Sequence, residues 1–259
     1  MGEMGLFVGG ILLVSLAGVP GLFSSKERRG GERLACLLTI AGTVCSAIAV
    51  IVALYQGVEQ RLDLNWALPG GELALRLDPL TSAFLLPLFL VVGSGSIYGL
   101  RYWPQSEHPG NGRKLRLFYG VISGAMILLL SARNSILFLM AWELMALAGF
   151  FLITTEDHKE DVRRAGFIYL IATHTGTLAL FAMFALLSET SGSLMFPAAG
   201  TLPLAGSGAV FLLGLVGFGM KAGLMPLHIW LPGAHAAAPS HASALLSGVM
   251  IKTGIYGLV

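Results

Sequence analysis

The sequence predicts an all-α fold, a polytopic transmembrane helical bundle of about eight spans in which the seventh is discontinuous. Composition is the first observation behind this: 12% of residues are charged and 55% apolar, against about 25% and 45 to 50% in ordinary soluble domains. The second is a series of eight windows long enough to cross a hydrocarbon core, which takes about 20 residues at about 1.5 Å rise each. They run from Leu6 to Phe23, Leu34 to Tyr55, Pro79 to Leu100, Leu117 to Ala132, Asn134 to Ile153, Phe167 to Leu187, Ala209 to Trp230 and Ser243 to Val259. The third is how the basic residues fall between them.

The first span is preceded by Glu3 and no Lys or Arg, and is followed by Lys26, Arg28, Arg29 and Arg33. That polarity is the reverse of a secretory signal and predicts an uncleaved helix with its N-terminus outside. Successive connections then carry four, two, four, one, three and no basic residues. Heavy connections alternate with light ones, as the positive-inside bias requires. Of the 16 basic residues, 11 fall inside, three outside, and two, Lys221 and Lys252, lie within spans seven and eight. Among the acids only Glu143 is assigned to a span; the others are read as loop or end residues. A net charge of +2 is too small to point to nucleic acid.

Gln56 to Asp78 is the longest connection, with Trp66, a Pro-Gly-Gly turn at Pro69 to Gly71, and an alternating "ELALRL" that suits a small outer hairpin. The linker "PQSEHPGNGRK" is polar and rich in Gly and Pro, so it marks a boundary between residues 1–113, holding spans one to three, and residues 114–259, holding spans four to eight. The loop from Ser188 to Ser207 carries no chemical motif. "GSGSIYG" at Gly93 to Gly99 lacks a preceding strand and reads as small-residue helix packing, not a nucleotide fingerprint. Cys36 and Cys45 lie about 13 Å apart along one helix and cannot bridge each other.

Chemistry concentrates in three places. Glu143 in "LFLMAWELMALAGFF" is about 13 Å into span five, and Lys221 and Lys252 are about 13 to 18 Å into theirs. Charged groups at such depth cost about 2.5 to 3.5 kcal/mol on insertion scales and tend to mark ion paths. Desolvation favours the neutral forms of both amine and carboxyl, and opposite charges nearby favour the charged forms, so such groups can take and release protons. Static pairing is the bland alternative. Pro226 and Pro232 each remove a backbone donor and clash with the preceding turn, which predicts that span seven is broken; unpaired backbone at that depth belongs in a protein-lined or wet cavity. His228, His235 and His241 follow, with His174 in span six. Their spacing puts no pair on one helical face at i, i+4, and no Cys or Asp joins them, so a proton relay suits them better than a metal site. No cysteine set for an iron-sulfur cluster and no phosphate loop is present, so no cofactor is expected in this chain.

The motifs "WELMAL", "GMKAGLMPLHIWLPGAHAAAPS" and "SALLSGVMIKTGIYG" together resemble the antiporter-like membrane subunits of complex I, membrane-bound hydrogenases and multisubunit cation/proton antiporters. The stretch "APSHASALLSG" resembles the hydrogenase-4 and formate hydrogenlyase branch, where His241 stands in place of a proline usual in complex I members. His241 is therefore a branch marker before it is a relay candidate. The resemblance implies about fourteen spans built from two inverted five-helix repeats, of which spans four to eight form the first. It also implies a fragment that stops short of the second repeat, and a proton channel through Glu143, Lys221 and Lys252 with His228 as a connecting group.

The expected function is that of a proton-translocating, non-catalytic membrane subunit of a hydrogenase-type or complex I-like oxidoreductase, in the inner membrane of a prokaryote. Its expected partners are other membrane subunits and a peripheral iron-sulfur hydrogenase or dehydrogenase arm, with lipid around it. A sodium/proton antiporter subunit without redox partners, and a structural membrane anchor, use the same residues and stay open on sequence grounds.

Overall fold

A computed structural model describes residues 2–23, 30–66, 72–197 and 204–259. Lys26, Arg28, Arg29, the Pro69 to Gly71 turn and the middle of the Ser188 to Ser207 loop lie outside the described residues.

Helices α1 (Gly2–Leu16) and α2 (Val19–Phe23) together form the first span, and α3 (Gly30–Gln56) returns antiparallel beside it. Strands β1 (Gln60–Asn65) and β2 (Glu72–Leu77) follow as an antiparallel hairpin with Gln60 opposite Leu77 and Asn65 opposite Glu72. The alternation in "ELALRL" therefore pairs as expected. Then come α4 (Pro79–Tyr102), α5 (Gly112–Ser131), α6 (Ser135–Ile153) and α7 (Glu160–Ser191). Among the described residues, six helices are long and apolar enough to cross a membrane. The molecule is a multi-pass membrane protein.

The ends of these helices follow local rules. Asp78 caps α4 by accepting the Thr81 N–H at 2.7 Å, with Pro79 in the first turn where its missing N–H is harmless. Asn134 caps α6 through the N–H groups of Ile136 and Leu137. Gly192 ends α7 in the left-handed conformation. Helix α5 is the centre of the bundle: 67% of its apolar window is buried, against 33% for the first span. Its buried face includes Ile122, Met126, Leu129 and Leu130.

Arg133, between α5 and α6, ties the hairpin end together. Its backbone N–H donates to the Ala74 carbonyl at 2.9 Å, and its guanidinium donates to Asp78, to the Thr81 hydroxyl and to the Tyr256 hydroxyl. Partial burial works to raise the Asp78 carboxyl, but the Thr81 N–H and the Arg133 guanidinium outweigh it and hold Asp78 below the ordinary carboxylate range. A depressed folded value contributes stability above the unfolded value and loses it as pH falls through the folded one. Asp78→Ala is therefore expected to cost about 1 to 2 kcal/mol at neutral pH. The gap in melting temperature from the parent, measured in detergent, should shrink below about pH 4.

The last two spans are irregular. Helix α8 (Leu204–Ala222) stops, residues 223–230 form turns, and α9 (Leu231–Ala237) resumes. Helix α10 (Ser240–Leu245), a π-helical turn over Leu246–Met250, and α11 (Ile251–Leu258) make up the eighth. The break in the seventh span is as expected, but its cause needs correcting. Gly223, at φ 72°, ends the helix three residues before Pro226, and Pro232 sits in the first turn of α9, where it starts a helix and does not interrupt one.

Candidate functional site

Lys221 occupies the last turn of α8. The turn closes by a Schellman arrangement, with Leu224 N–H on the Gly219 carbonyl at 2.9 Å and Gly223 N–H on the Met220 carbonyl at 3.4 Å. Trp230 Nε1 adds a bond to the Met220 carbonyl at 2.9 Å. This C-terminus is the negative end of the helix dipole, which favours a cation in that turn. The ammonium is 2% exposed. Its neighbours are the hydroxyls of Tyr169 at 3.3 Å and Thr173 at 3.4 Å, and the rings of Trp142 and Tyr169 at 5.6 and 5.3 Å. These are weak substitutes for water, and no carboxylate lies within ion-pair distance among the described residues.

Glu143 does not pair directly with Lys221. Its direct partner is instead His174, whose Nε2 lies 3.5 Å from Oε2. Both side chains are half-exposed on the flank of α6 and α7, at 26% and 45%. The other carboxylate oxygen is buried without a hydrogen bond among the described residues. His174 Nδ1 meets the Leu170 carbonyl at 2.9 Å, which suits the tautomer with its hydrogen there. Trp142 precedes Glu143 on the same helix, and its ring centroid lies 5.6 Å from the Lys221 ammonium.

Lys252 corrects the sequence reading. It was expected to be a buried charge, but it is exposed on the side of α11, with its Nζ donating to the Ser247 carbonyl at 2.6 Å. The π turn accounts for the register. Five residues per hydrogen-bonded ring, in place of four, bring position 252 over Ser247 where a regular helix would bring Ile251. Ser247 Oγ in turn donates to the Ser243 carbonyl at 2.9 Å, and the Ser243 hydroxyl meets His235 Nδ1 at 3.2 Å. One polar stripe thus runs from His235 to Lys252.

The other predicted residues are dispersed. His228 lies in the turn region with Nδ1 buried and unbonded among the described residues. It makes no hydrogen bond to Lys221 or Lys252, so the connecting contact expected of it is absent. His241 is buried between Tyr102 and Tyr119, with ring centroids at 6.0 and 5.6 Å, at the end of the bundle away from the hairpin. No group of three or more His, Cys, Asp or Glu positioned to hold a metal occurs among the described residues.

Sequence reasoning missed Tyr169 and Thr173, although their spacing of four on one helix is a signal that they share a face. It also left Glu32 and Arg116 in loops. Both lie inside helices, α3 and α5, and form an ion pair at 2.8 Å with Glu32 only 4% exposed.

A discontinuous helix ending on a buried lysine, beside an acid and histidine pair, defines a multi-pass membrane protein that holds titratable groups within its bundle. Residues 132–259 match the family described as NADH:quinone oxidoreductase/Mrp antiporter, TM. Hydrogenase-4 component B of Escherichia coli (strain K12) is 36% identical over all of this chain and 38% of its own length. Formate hydrogenlyase subunit 3 of the same organism is 31% identical over 95% of this chain and 38% of its own length. NADH-quinone oxidoreductase subunit M, also from that strain, is 30% identical over 78% of this chain and 41% of its own length. The chain therefore spans about two fifths of the relatives it matches. A chain of the archaeal membrane-bound sulfane sulfur reductase superimposes with a TM-score of 0.79 at 24% identity, over 95% of this chain and 39% of that one. A chain of the Mrp complex from Dietzia sp. DQ12-45-1b gives 0.79 at 21%, over 99% and 28%. These two share the fold.

Proposed function

We propose that the chain is part of a proton-translocating membrane subunit of a hydrogenase-type or complex I-like redox complex. The observation that carries the reading is Lys221, a fully buried ammonium at a helix break with hydroxyls and rings around it in place of an anion. A buried charge without a paired anion is costly, so its charge state responds strongly to a neighbouring charge. Glu143 is that neighbour. When its carboxylate is held by protonated His174, Lys221 feels less of it; when His174 is neutral, Glu143 favours the ammonium. Proton exchange at His174 and at Lys221 is coupled through this field.

The stripe of His235, Ser243, Ser247 and Lys252 is the second part of the path. Carbonyl oxygens accept hydrogen bonds without passing protons on, so transfer along it uses the two serine hydroxyls and water. His228 and the backbone of the break, which Gly223 opens, lie to one side. The end away from the hairpin is the inner side in this reading, with the N-terminus outside in the inner membrane of a prokaryote. Electron-carrying groups belong to partner subunits, including a peripheral iron-sulfur hydrogenase or dehydrogenase arm, and the chain works beside other membrane subunits.

The test is Glu143→Gln in the full-length subunit within its assembled complex. Donor-driven proton translocation in inverted vesicles is expected to fall by about 100-fold, the range of a single positioned proton-transfer group. Unchanged translocation overturns the reading, as does sodium-dependent proton exchange that needs no electron donor.

A further inference from the structure

A second polar centre lies at the end of the bundle away from the hairpin, apart from Lys221. The Glu32 carboxylate accepts from Arg116 Nη2 at 2.8 Å and from the Gln105 backbone N–H at 2.7 Å. Arg116 also donates to the Gln105 side-chain oxygen at 2.7 Å, the Gly112 carbonyl at 2.8 Å and the Trp103 carbonyl at 2.9 Å. Next to this pair is a cavity of about 30 Å³ lined by Glu32, Cys36, Thr39, Arg116, Tyr119 and His241. The space exists because Gly99 has no side chain: a Cβ there would stand 3.3 Å from the His241 ring.

Two buried nitrogens at this centre, His241 Nδ1 and Gln105 Nε2, have no hydrogen-bond partner among the described residues. Leaving a buried polar atom unpaired costs about 1 to 3 kcal/mol, and a water needs about 10 to 15 Å³ of such space. The cavity is large enough and polar enough to hold one. A wider cleft beside it is lined by Tyr102, Trp103, Glu156, His235, Ser240 and Ser243. Trp103 lines both spaces, and Ser240 donates to the Tyr102 hydroxyl at 2.9 Å in the lining of the cleft.

We propose that this cavity is a proton-holding site, in which His241 takes up a proton through one internal water and the Glu32 carboxylate supplies the counter-charge. The site rests on the proton-conducting reading above and adds Glu32 and Arg116 to its working groups. Uptake forms an N–H bond at the unpaired imidazole nitrogen and breaks an O–H bond of the water. That water recovers its proton from the cleft, and release runs in reverse. The titratable groups facing His241 are Glu32 and Cys36 from α3, Tyr102 from α4, and Arg116 and Tyr119 from α5. Glu32 is the acid among them, and Arg116 is the cation, whose charge opposes protonation of His241. The Glu32 carboxylate is shared: a protonated His241 competes with Arg116 for it, so loading the site weakens the ion pair and unloading restores it.

Histidine hydrogen–deuterium exchange at the imidazole C2, followed by mass spectrometry on the full-length protein in lipid nanodiscs, tests this. Over about pH 3 to 9 the exchange rate of His241 is expected to pass through one midpoint, and Glu32→Gln to lower that midpoint by about one unit. Exchange that does not change over that range, or a midpoint indifferent to Glu32→Gln, overturns the proposal. Because Glu32→Gln strands the Arg116 guanidinium, the Cys36 thiol gives a reading in the otherwise intact site. In a Cys45→Ala background its S–H stretch is expected to convert to S–D within minutes in D2O; an S–H band that persists for hours overturns the internal water. Titration of His241 in a Lys221→Met protein that no longer transports supports this site on its own. A His241 that does not titrate in a transporting wild type removes it and leaves the transport reading standing.

Discussion

Replacing Lys221 with methionine is expected to lower proton translocation by about 100-fold while the protein stays folded. Methionine fills nearly the same volume, and such swaps usually cost less than about 1.5 kcal/mol. The substitution removes two hydroxyl bonds, at 3.3 and 3.4 Å, and two cation–ring interactions, and a thioether interacts favourably in its own right with Trp142 and Tyr169. What methionine cannot do is hold an exchangeable proton. Thermal denaturation in detergent and donor-driven pumping in vesicles, measured on the same preparation, separate the two effects. Pumping that survives Lys221→Met removes the lysine from the path. A melting temperature that collapses along with pumping makes its role structural.

Gly254→Val is expected to have the largest effect on stability. Glycine at this position lets α11 approach the last turn of α8: a Cβ would stand 2.5 Å from the Phe218 carbonyl oxygen, 2.6 Å from the Ala222 nitrogen and 3.0 Å from its Cα. All three are backbone atoms, so relief requires the helices to separate. Overpacking of this kind costs about 1 to 3 kcal/mol, and more when backbone must move. The crossing lies one residue from Lys221, so the same change shifts the lysine against Tyr169 and Thr173, and transport should fall with stability. Gly248→Ala is the control, since a Cβ there meets only Val91, at an ordinary 3.8 Å. Equal unfolding transitions for Gly254→Val and the parent would remove the crossing as a source of stability.

Much of the fold was legible because its signals are local. The apolar windows match helices to within a turn at several ends. Asn134, which opened a predicted span, is the residue that caps α6, and the strand alternation predicted the hairpin. Helix ends extended further than hydropathy suggested, since Gly30 and Gly112 begin α3 and α5 several residues before their apolar windows. For that reason Glu32 and Arg116 were placed in loops: hydropathy registers a charge as an interruption, whereas a helix continues through it when a partner helix supplies the opposite charge. The break in span seven was visible in its prolines, but the residue that makes it, Gly223, was visible only as a glycine followed by apolar residues.

The site divided along the same line. Three charged residues in a lipid-like sequence, Glu143, Lys221 and Lys252, stand out by type, because burial in an apolar medium makes any ionisable group exceptional whatever surrounds it. Their partners do not stand out. His174 is 31 positions from Glu143, and Tyr169 is 52 from Lys221; only the packing of α6, α7 and α8 brings them within reach. The orientation of Lys252 depends on one extra residue in a π turn, which rotates everything after it relative to the helix before. The sequence by itself determined a membrane-spanning α-helical chain, its break and the costly charge at Lys221, because these follow from transfer free energies and local backbone sterics. The tertiary structure alone decided that Glu143 meets His174, that Lys221 is enclosed by hydroxyls and rings, that Lys252 faces outward and that Glu32 meets Arg116. Distances between helices are set by how side chains interlock across them, and that information is spread over segments far apart in the chain.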